Sequence, residues 1–218
     1  MNQFHSLIKN IESTLSENAL PGISAQLNMA PVSRLKEIKN PDSNRVVKKS
    51  AVLILFYPEN GSTKLVMIKR AIDDSVHSGQ IAFPGGKFEA KDKELTMTAL
   101  RETHEEVGIN PELIKIIGKL STLYIPPSNY DVYPFIAYTL EKPAMKNNYE
   151  VEKIIEIDLK ELLAPENITQ KTINHRFGKL LDVPCFYIQN EIIWGASAMI
   201  ISELLEVIKA QVNNLSKN

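Results

Sequence analysis

The chain has 218 residues, 44% of them hydrophobic and 23% charged, with 25 basic and 26 acidic residues and a formal net charge of −1. This length favours one large domain or one domain with an extra arm, and the composition excludes a disordered, collagen-like or disulfide-scaffold protein. The charge balance is unlike that of a nucleic-acid-binding protein, the apolar runs are too short to span a bilayer, and no signal-peptide pattern is visible, so we expect a cytoplasmic protein.

The N-terminal part of the chain predicts a helix followed by an irregular connector. Apolar residues at helical spacing indicate an amphipathic helix over residues 3–19, and Pro21 ends the pattern. Residues 20–49 contain three prolines and are typical of a connector that crosses the surface. We therefore predict an N-terminal helical arm with its connector over residues 1–47 and a folded domain over residues 48–218.

The folded domain is predicted to open with a hairpin. Strand-like runs at residues 51–57 and 65–70 flank Asn60 and Gly61, a strong signal for a tight turn. The later elements are predicted in chain order as a helix over 92–107, strands over 114–120, 131–140, 151–157 and 185–188, and a helix over 196–212. The mixed strands and segregated helices predict an α/β or α+β sandwich rather than a doubly wound sheet.

Three glutamates are predicted to share one face of the helix over residues 92–107. At about 3.6 residues per turn, Glu102, Glu105 and Glu106 project to the same side. The opposite side is predicted to pack against the core and carries Met97, Leu100, Thr103 and Val107. Like charges at this spacing cost a helix roughly 0.2–0.5 kcal/mol per pair. The clustering therefore indicates either plain solvent exposure or a bound cation.

Two glycines, Gly85 and Gly86, precede this acidic helix. Glycine permits a close approach to the backbone, and a turn that exposes its amides suits a phosphate group. Hard cations such as Mg²⁺ bind carboxylates together with the phosphate oxygens of a substrate. Arg101 adds a cation among the acids, where it is expected to pair with Glu105 and to orient that carboxylate.

Together these residues resemble the Nudix box. The matching positions are Gly86, Arg101, Glu102, Glu105, Glu106, Gly108 and Ile109. The interval from Gly86 to Arg101 is fifteen residues, where the usual box has fourteen, so the acid of its first half is either Asp92 or Glu94. We favour Asp92, which also suits the N-cap of the helix.

The flanks of the box resemble those of coenzyme A pyrophosphatases, a subgroup that commonly carries the same one-residue extension. The segment before the box matches the signature of that subgroup at Arg70, Ala71, Gly79, Phe83, Pro84, Gly85 and Gly86. Further matches lie at residues 29–34, 122–135 and 193–200. Ser75 stands where the signature has its second arginine; its hydroxyl can hydrogen-bond a phosphate but cannot replace the charge.

The resemblance implies a Nudix-type α/β/α sandwich and metal-dependent hydrolysis of a nucleoside diphosphate linkage. It implies that Glu102 and Glu106 bind Mg²⁺ or Mn²⁺, and that Glu105 is a ligand of a second ion or the base that acts on water. Arg101 is implied as a further catalytic residue. The residues implied to contact the substrate are Arg70, His77, Gly79, Phe83, Pro84, Gly85 and Gly86. Additional candidates are Asp92, Tyr124, Glu150 and Ser75.

The subgroup resemblance makes coenzyme A or its thioesters the leading substrate, cleaved to adenosine 3′,5′-bisphosphate and 4′-phosphopantetheine or its acyl form. One alternative is a Nudix pyrophosphatase for ADP-ribose, a dinucleotide or an oxidised nucleotide. A second alternative is a non-catalytic ligand-binding module, against which the intact glutamate triad argues. We expect a small-molecule nucleotide as partner and neither nucleic acid nor a membrane. The oligomeric state stays open, a homodimer included.

Overall fold

The computed structural model describes residues 2–17, 20–32, 34, 46–74, 76–175 and 179–215; Ser75 lies outside these ranges. Five α-helices occur within them: α1 Asn2–Ser16, α2 Gly22–Leu27, α3 Leu95–Val107, α4 Leu159–Leu163 and α5 Gly195–Leu215. The described strands are β1 Lys48–Glu59, β2 Ser62–Arg70, β3 Ile81–Ala82, β4 Gly85–Lys87, β5 Lys115–Lys119, β6 Leu123–Ile125, β7 Tyr130–Tyr138, β8 Val151–Asp158, β9 Ile168–His175, β10 Lys179–Ile188 and β11 Glu191–Trp194. Among the described helices, none is both long enough and apolar enough to cross a membrane.

Eight of the described strands form one mixed sheet. Its main path runs β3-β2-β1-β7-β5, with β4 paired to β1, β6 paired to β7 and β8 paired to β2. Strands β1 and β7 are parallel, whereas β1 is antiparallel to both β2 and β4. Strands β9, β10 and β11 form a second, antiparallel sheet.

The central strand β1 explains why helices cover both faces of the mixed sheet. Successive side chains of a strand point to opposite faces, and residues 51–57 of β1 are all hydrophobic. Leu53 and Leu55 lie in a core that includes residues of α3. Ile54 and Phe56 lie in a second core, which includes residues of α1 and α5. The predicted α/β/α sandwich with a mixed sheet is confirmed. The division of the chain into an arm and a domain stays a prediction.

The predicted hairpin is confirmed at the start of the sheet. Glu59 of β1 lies opposite Ser62 of β2, so two residues connect the strands. These are Asn60 and Gly61, with φ angles of 50° and 79°. Positive φ at both central positions is the backbone that a two-residue type I′ hairpin turn requires.

The segment after α1 differs from its prediction. The sequence predicts an irregular surface connector over residues 20–49, but part of it forms the helix α2. The fully buried carboxylate of Glu203 on α5 accepts hydrogen bonds from the backbone N–H of Gly22 at 3.2 Å and from Nε2 of Gln26 at 2.8 Å. Sequence periodicity does not reveal these bonds, because Gly22 and Glu203 are 181 residues apart.

The later predicted elements are present with shifted ends. Helix α3 begins at Leu95, three residues after its predicted start, and β10 begins at Lys179, well before the predicted residue 185. Besides α2, six of the described helices and strands have no counterpart in the sequence prediction: β3, β4, β6, β9, β11 and α4. Most of them are too short for periodicity to distinguish them from loops.

Candidate active site

Helix α3 lies over strand β4 at the place where that strand consists of glycine. The backbone N–H of Gly85 donates a hydrogen bond of 2.8 Å to Oε2 of Glu106. The carboxylate of Glu102 lies over Gly86 so closely that a Cβ added there would be 2.6 Å from Oε2 of Glu102. The lack of a side chain at Gly86 therefore allows Glu102 to approach β4, and the amide of Gly85 binds Glu106.

The three glutamates of α3 have different environments. Glu106 is almost fully buried, with 2% of its surface exposed, whereas 46% of the Glu105 side chain is exposed. Glu102 lies between these extremes. The predicted apolar face is only partly correct, because Thr103 and Val107 are buried but Met97 is 41% exposed. Met97 lies in the first turn of α3.

Glu106 carries a strongly perturbed carboxyl group. Burial raises the pKa of Glu106 to about 7, and the charges of Glu102 and Glu150 act in the same direction. The hydrogen bond from Gly85 and the charge of Arg70 oppose this rise in pKa. Nη1 of Arg70 lies 3.4 Å from Oε1 of Glu106. Arg70 therefore compensates only part of the negative charge on this side of the helix.

Arg101 links the other acids of the box. Its Nη1 donates to Oε1 of Glu102 at 2.8 Å and to Oε2 of Glu105 at 3.1 Å. Its Nε and Nη2 donate to the two carboxylate oxygens of Asp92, both at 2.9 Å. The predicted contact between Arg101 and Glu105 is present. One guanidinium therefore orients three carboxylates.

Asp92 is not the helix N-cap that the sequence predicts. The N-cap position is Glu94, which makes no side-chain capping bond. The buried carboxylate of Asp92 instead accepts hydrogen bonds from Oγ1 of Thr98 at 2.9 Å and from the backbone of Glu89 at 3.1 Å, besides those from Arg101. The hydrogen bonds with Arg101 lower the pKa of Asp92 well below its usual range. Charge-assisted bonds are about twice as strong as neutral ones, so this pairing outweighs a capping bond.

The donor set at this helix fits a hard divalent cation by its chemistry. Burial raises the pKa of Glu102 as well as that of Glu106, and neighbouring acids add to both shifts. Carboxylate oxygens are the side-chain ligands that Mg²⁺ prefers. In the described part of the chain, however, no three Asp, Glu, His or Cys side chains converge closely enough to hold an ion. Because Arg101 donates hydrogen bonds to Glu102 and Glu105, cation binding by either carboxylate competes with this pairing.

A cavity of about 530 Å³ opens on the other side of β4. The cationic side chains that line it are Arg34, Arg70 and Lys87, and among its described lining residues none is acidic. Its apolar walls include Val52, Phe83, Val132, Leu181, Trp194 and Ile200. The cavity therefore suits a ligand that combines several negative charges with an uncharged portion.

The structure brings most of the predicted substrate-binding residues to this cavity. The lining includes Arg70, His77, Phe83, Gly85 and Gly86. Nδ1 of His77 also lies 3.1 Å from Oε1 of Gln80, a contact that orders its loop.

Two predicted substrate-binding residues are not part of the lining. The carbonyl of Pro84 accepts a hydrogen bond from the backbone of Leu53 at 2.9 Å, so Pro84 serves as a partner of the sheet. Gly79 occupies a turn with a φ angle of 68°.

The remaining described candidates, Tyr124 and Glu150, do not line the cavity. The hydroxyl of Tyr124 donates to Oδ1 of Asn129 at 3.2 Å, and Tyr130 lines the cavity in its place. The backbone carbonyl of Glu150 accepts a hydrogen bond of 2.9 Å from Ala71, the residue after Arg70. The charge of Glu150 raises the pKa of both buried box glutamates, which places it on the acidic side.

Sequence reasoning assigned no role to Arg34, Lys87 or Trp194, which all line the cavity. Arg34 and Trp194 fall within the segments 29–34 and 193–200 that match the coenzyme A subgroup. The match marked these segments but did not indicate what the two side chains do. Lys87 follows Gly86 directly, and its side chain carried no signal.

An acidic helix beside a cationic cavity has the charges that hydrolysis of a phosphorus-containing anhydride needs, because carboxylates bind divalent cations and cationic side chains bind phosphate groups. The family model of the NUDIX domain matches residues 47–177. The chain is 35% identical over 167 residues to the "Uncharacterized Nudix hydrolase NudL" of Yersinia pestis (strain Pestoides F), an alignment that covers 74% of this chain and 80% of the relative. The protein of the same name from Yersinia pseudotuberculosis serotype O:1b (strain IP 31758) matches to the same extent. The chain therefore belongs to the Nudix hydrolase family.

A solved structure supports the fold. The Nudix hydrolase RenU from M. smegmatis aligns with a TM-score of 0.50 at 16% identity, covering 76% of this chain and 87% of that chain. The predicted family resemblance is confirmed, and with it an enzyme that hydrolyses the diphosphate linkage of a nucleotide. Members of this family generally use divalent metal ions.

Proposed function

We propose that this Nudix hydrolase cleaves coenzyme A or acyl-coenzyme A to adenosine 3′,5′-bisphosphate and 4′-phosphopantetheine or its acyl form. The observation that carries the proposal is the composition of the cavity beside β4, which is lined by cations at some positions and by apolar side chains at others. Coenzyme A likewise combines a polyanionic part with an uncharged part, because its nucleotide is joined to a pantetheine arm. The resemblance of residues 65–86 to the coenzyme A signature supports the same substrate.

The diphosphate is proposed to bind where the cavity meets the acidic helix. Arg70 lines the cavity and contacts Glu106, so its guanidinium is suited to bind a phosphate in a bidentate way. The adjacent backbone at Gly86 bears no side chain that would exclude a phosphate.

The glutamates of α3 are proposed to hold Mg²⁺ or Mn²⁺. Glu102 and Glu106 are the ligands, and Glu105, the most exposed of the three, is a ligand of a second ion or the base that takes a proton from water. When bound, the metal neutralises phosphate charge and lowers the pKa of the attacking water. Arg101, held by Asp92, orients Glu102 and Glu105 for these roles. Attack of water on one phosphorus breaks the bridging P–O bond and leaves two phosphate monoesters.

A substrate panel tests the proposed specificity. Coenzyme A, acetyl-coenzyme A, ADP-ribose and NADH are each incubated with the enzyme in Mg²⁺ or Mn²⁺, with an EDTA control, and the products are identified by mass. We expect a higher kcat/KM for coenzyme A than for ADP-ribose or NADH. Equal or reversed preference would overturn the coenzyme A proposal and leave the family assignment in place.

A further inference from the structure

A buried cation, Arg34, lines the cavity from the N-terminal part of the chain. It is 9% exposed, and its Nη2 donates a hydrogen bond to the backbone carbonyl of Tyr124 on β6. Arg34 lies outside residues 47–177, which match the family model. The cavity therefore receives a permanent positive charge from a segment that the family model does not include.

The segment that leads to Arg34 is firmly attached to the core. Oγ of Ser202 on α5 donates a hydrogen bond of 2.7 Å to the carbonyl of Ala25 on α2. Met29 and Ala30, which follow α2, are buried in the same core as α5. Since these contacts and the bond to Tyr124 fix both ends of the segment, the guanidinium is preorganised at the cavity wall, which lowers the cost of binding an anion.

Arg34 is anchored at the opposite end of the cavity floor from the contact between Arg70 and Glu106. Four neighbouring strands, β4, β1, β7 and β6, form the cavity floor, and Lys87, Ser50, Val132 and Leu123 form one row across them. Three strand spacings separate β4 from β6 by roughly 14 Å. Arg34 is bound at the β6 end, whereas the contact between Arg70 and Glu106 lies at the β4 end.

We propose that Arg34 binds a second phosphate of the substrate, separate from the diphosphate. This inference rests on the proposed function, and on coenzyme A the group is the 3′-phosphate of the adenosine half. A guanidinium matches the geometry of phosphate oxygens, and among the described residues that line the cavity no carboxylate repels a second anion. Arg34 is thus a specificity-determining residue that discriminates 3′-phosphorylated nucleotides from their dephospho counterparts.

Calorimetric binding of adenosine 3′,5′-bisphosphate and of AMP tests this role without relying on hydrolysis. We expect the wild-type protein to bind the bisphosphate at least about 10-fold more tightly than AMP. Arg34→Gln should abolish most of this difference and change AMP binding less than about 2-fold, whereas Arg34→Lys should retain part of it. Lys119→Gln, at the last residue of β5 and outside the cavity lining, controls for a general loss of positive charge. Thermal unfolding of each variant monitors folding.

Steady-state kinetics extends the test to the reaction. Arg34→Gln should raise KM for coenzyme A at least about 10-fold, leave kcat within about 2-fold, and leave KM for 3′-dephospho-coenzyme A nearly unchanged. A purely structural anchor would change both substrates equally, and that result would overturn the inference.

The wild-type measurements separate this inference from the proposed function. A wild-type enzyme that cleaves coenzyme A but binds the bisphosphate no better than AMP overturns the role of Arg34 alone, even if no variant folds. A wild-type enzyme that does not cleave coenzyme A overturns the proposed function. An Arg34-dependent preference for the bisphosphate in that enzyme would still support the phosphate subsite.

Discussion

At the scale of single residues, burial divides the acids of α3 into groups with different chemistry. A buried carboxylate loses the hydration that favours its charged form, so it depends on cations nearby. Glu106 has Arg70 at 3.4 Å and Gly85 as a hydrogen-bond donor, and its pKa is nevertheless raised to about 7. Glu105 is far more exposed and pairs with Arg101 at the helix surface. Substitutions at these two positions therefore test different properties.

Replacing Glu106 by Gln should lower kcat by roughly 10²-fold or more, about 2.7 kcal/mol of transition-state stabilisation. The amide keeps the size of the side chain and an acceptor for Gly85 but removes an anionic metal ligand. The metal-free variant should be at least as stable as the wild type, because a buried charge is removed. Steady-state kinetics in Mg²⁺ measures the loss, and Glu112→Gln, an exposed acid beyond α3, is the matched control. Near-normal turnover of Glu106→Gln would show that the acidic face is merely solvated.

Replacing Asp92 by Asn should lower the free energy of unfolding by about 1.5–3 kcal/mol at pH 7. The substitution removes the charge from two hydrogen bonds that Arg101 makes at 2.9 Å in a nearly dry site. Urea unfolding measures the change. Thr96→Ala in the partly exposed first turn of α3 serves as the control and should change stability much less. An unchanged midpoint for Asp92→Asn would show that the network around Arg101 is not needed for the fold.

The stability difference between the wild type and Asp92→Asn should also depend on pH. Because the pKa of Asp92 is lowered by folding, its carboxylate stabilises the native state above the unfolded pKa of about 3.9, and this stabilisation is lost as the pH falls toward the folded value. The difference in unfolding free energy between wild type and Asp92→Asn should therefore be constant from about pH 8 to pH 5 and shrink below about pH 4. Unfolding titrations across this range measure it, and a difference that grew in acid would contradict the assignment.

At the scale of elements, the contact between α3 and β4 depends on two adjacent glycines with different surroundings. A Cβ on Gly86 would meet the carboxylate of Glu102, the far end of a flexible side chain. A Cβ on Gly85 would lie 2.6 Å from Cα of Val52, and the φ angle of Gly85 is 155°. The first collision is relieved by a side-chain movement, whereas the second needs a backbone movement.

These surroundings predict opposite effects for the two alanine variants. Gly86→Ala should keep a nearly normal melting temperature and lose roughly 10²-fold in kcat, because Glu102 is displaced from its position. Gly85→Ala should lose about 1–3 kcal/mol of stability or more, since the strain is in the backbone. Thermal unfolding and kinetics of both variants, side by side, test this. Equal effects of the two substitutions on both properties would contradict the geometry.

At the scale of the whole molecule, α1 contributes to the same core as the C-terminal helix α5. Ile11→Ala should therefore lower the unfolding free energy by about 2–5 kcal/mol, because its side chain is 1% exposed in that core. Ile23→Ala is the matched control: its side chain is 48% exposed, and its effect should stay within about 0.5 kcal/mol. Chemical denaturation should show one transition for both variants. A separate early transition for the N-terminal segment would show that α1 folds independently.

Local patterns determined much of the fold and one part of the site. The turn at Asn60-Gly61 and the strands on either side depend on the conformational preferences of neighbouring residues, so the sequence predicted them. The acids of α3 share a face because helical geometry fixes the angle between Glu102 and Glu106. The family resemblance followed from the spacing of these same residues. Each of these features involves residues close in sequence, for which propensity and periodicity are informative.

The tertiary structure alone decided the partners of the buried polar groups. Asp92 suits a helix N-cap by local rules, but it pairs with Arg101, because charge-assisted bonds are stronger in a nearly dry site than a capping bond. The helix α2 depends on Glu203, and the position of Arg34 depends on the carbonyl of Tyr124. These contacts join residues that lie far apart in the chain, and a linear pattern carries no information about which of them meet. The sequence thus determined the chemical groups of the site and their local geometry, while folding selected the burial and the distant partners that set their charge and orientation.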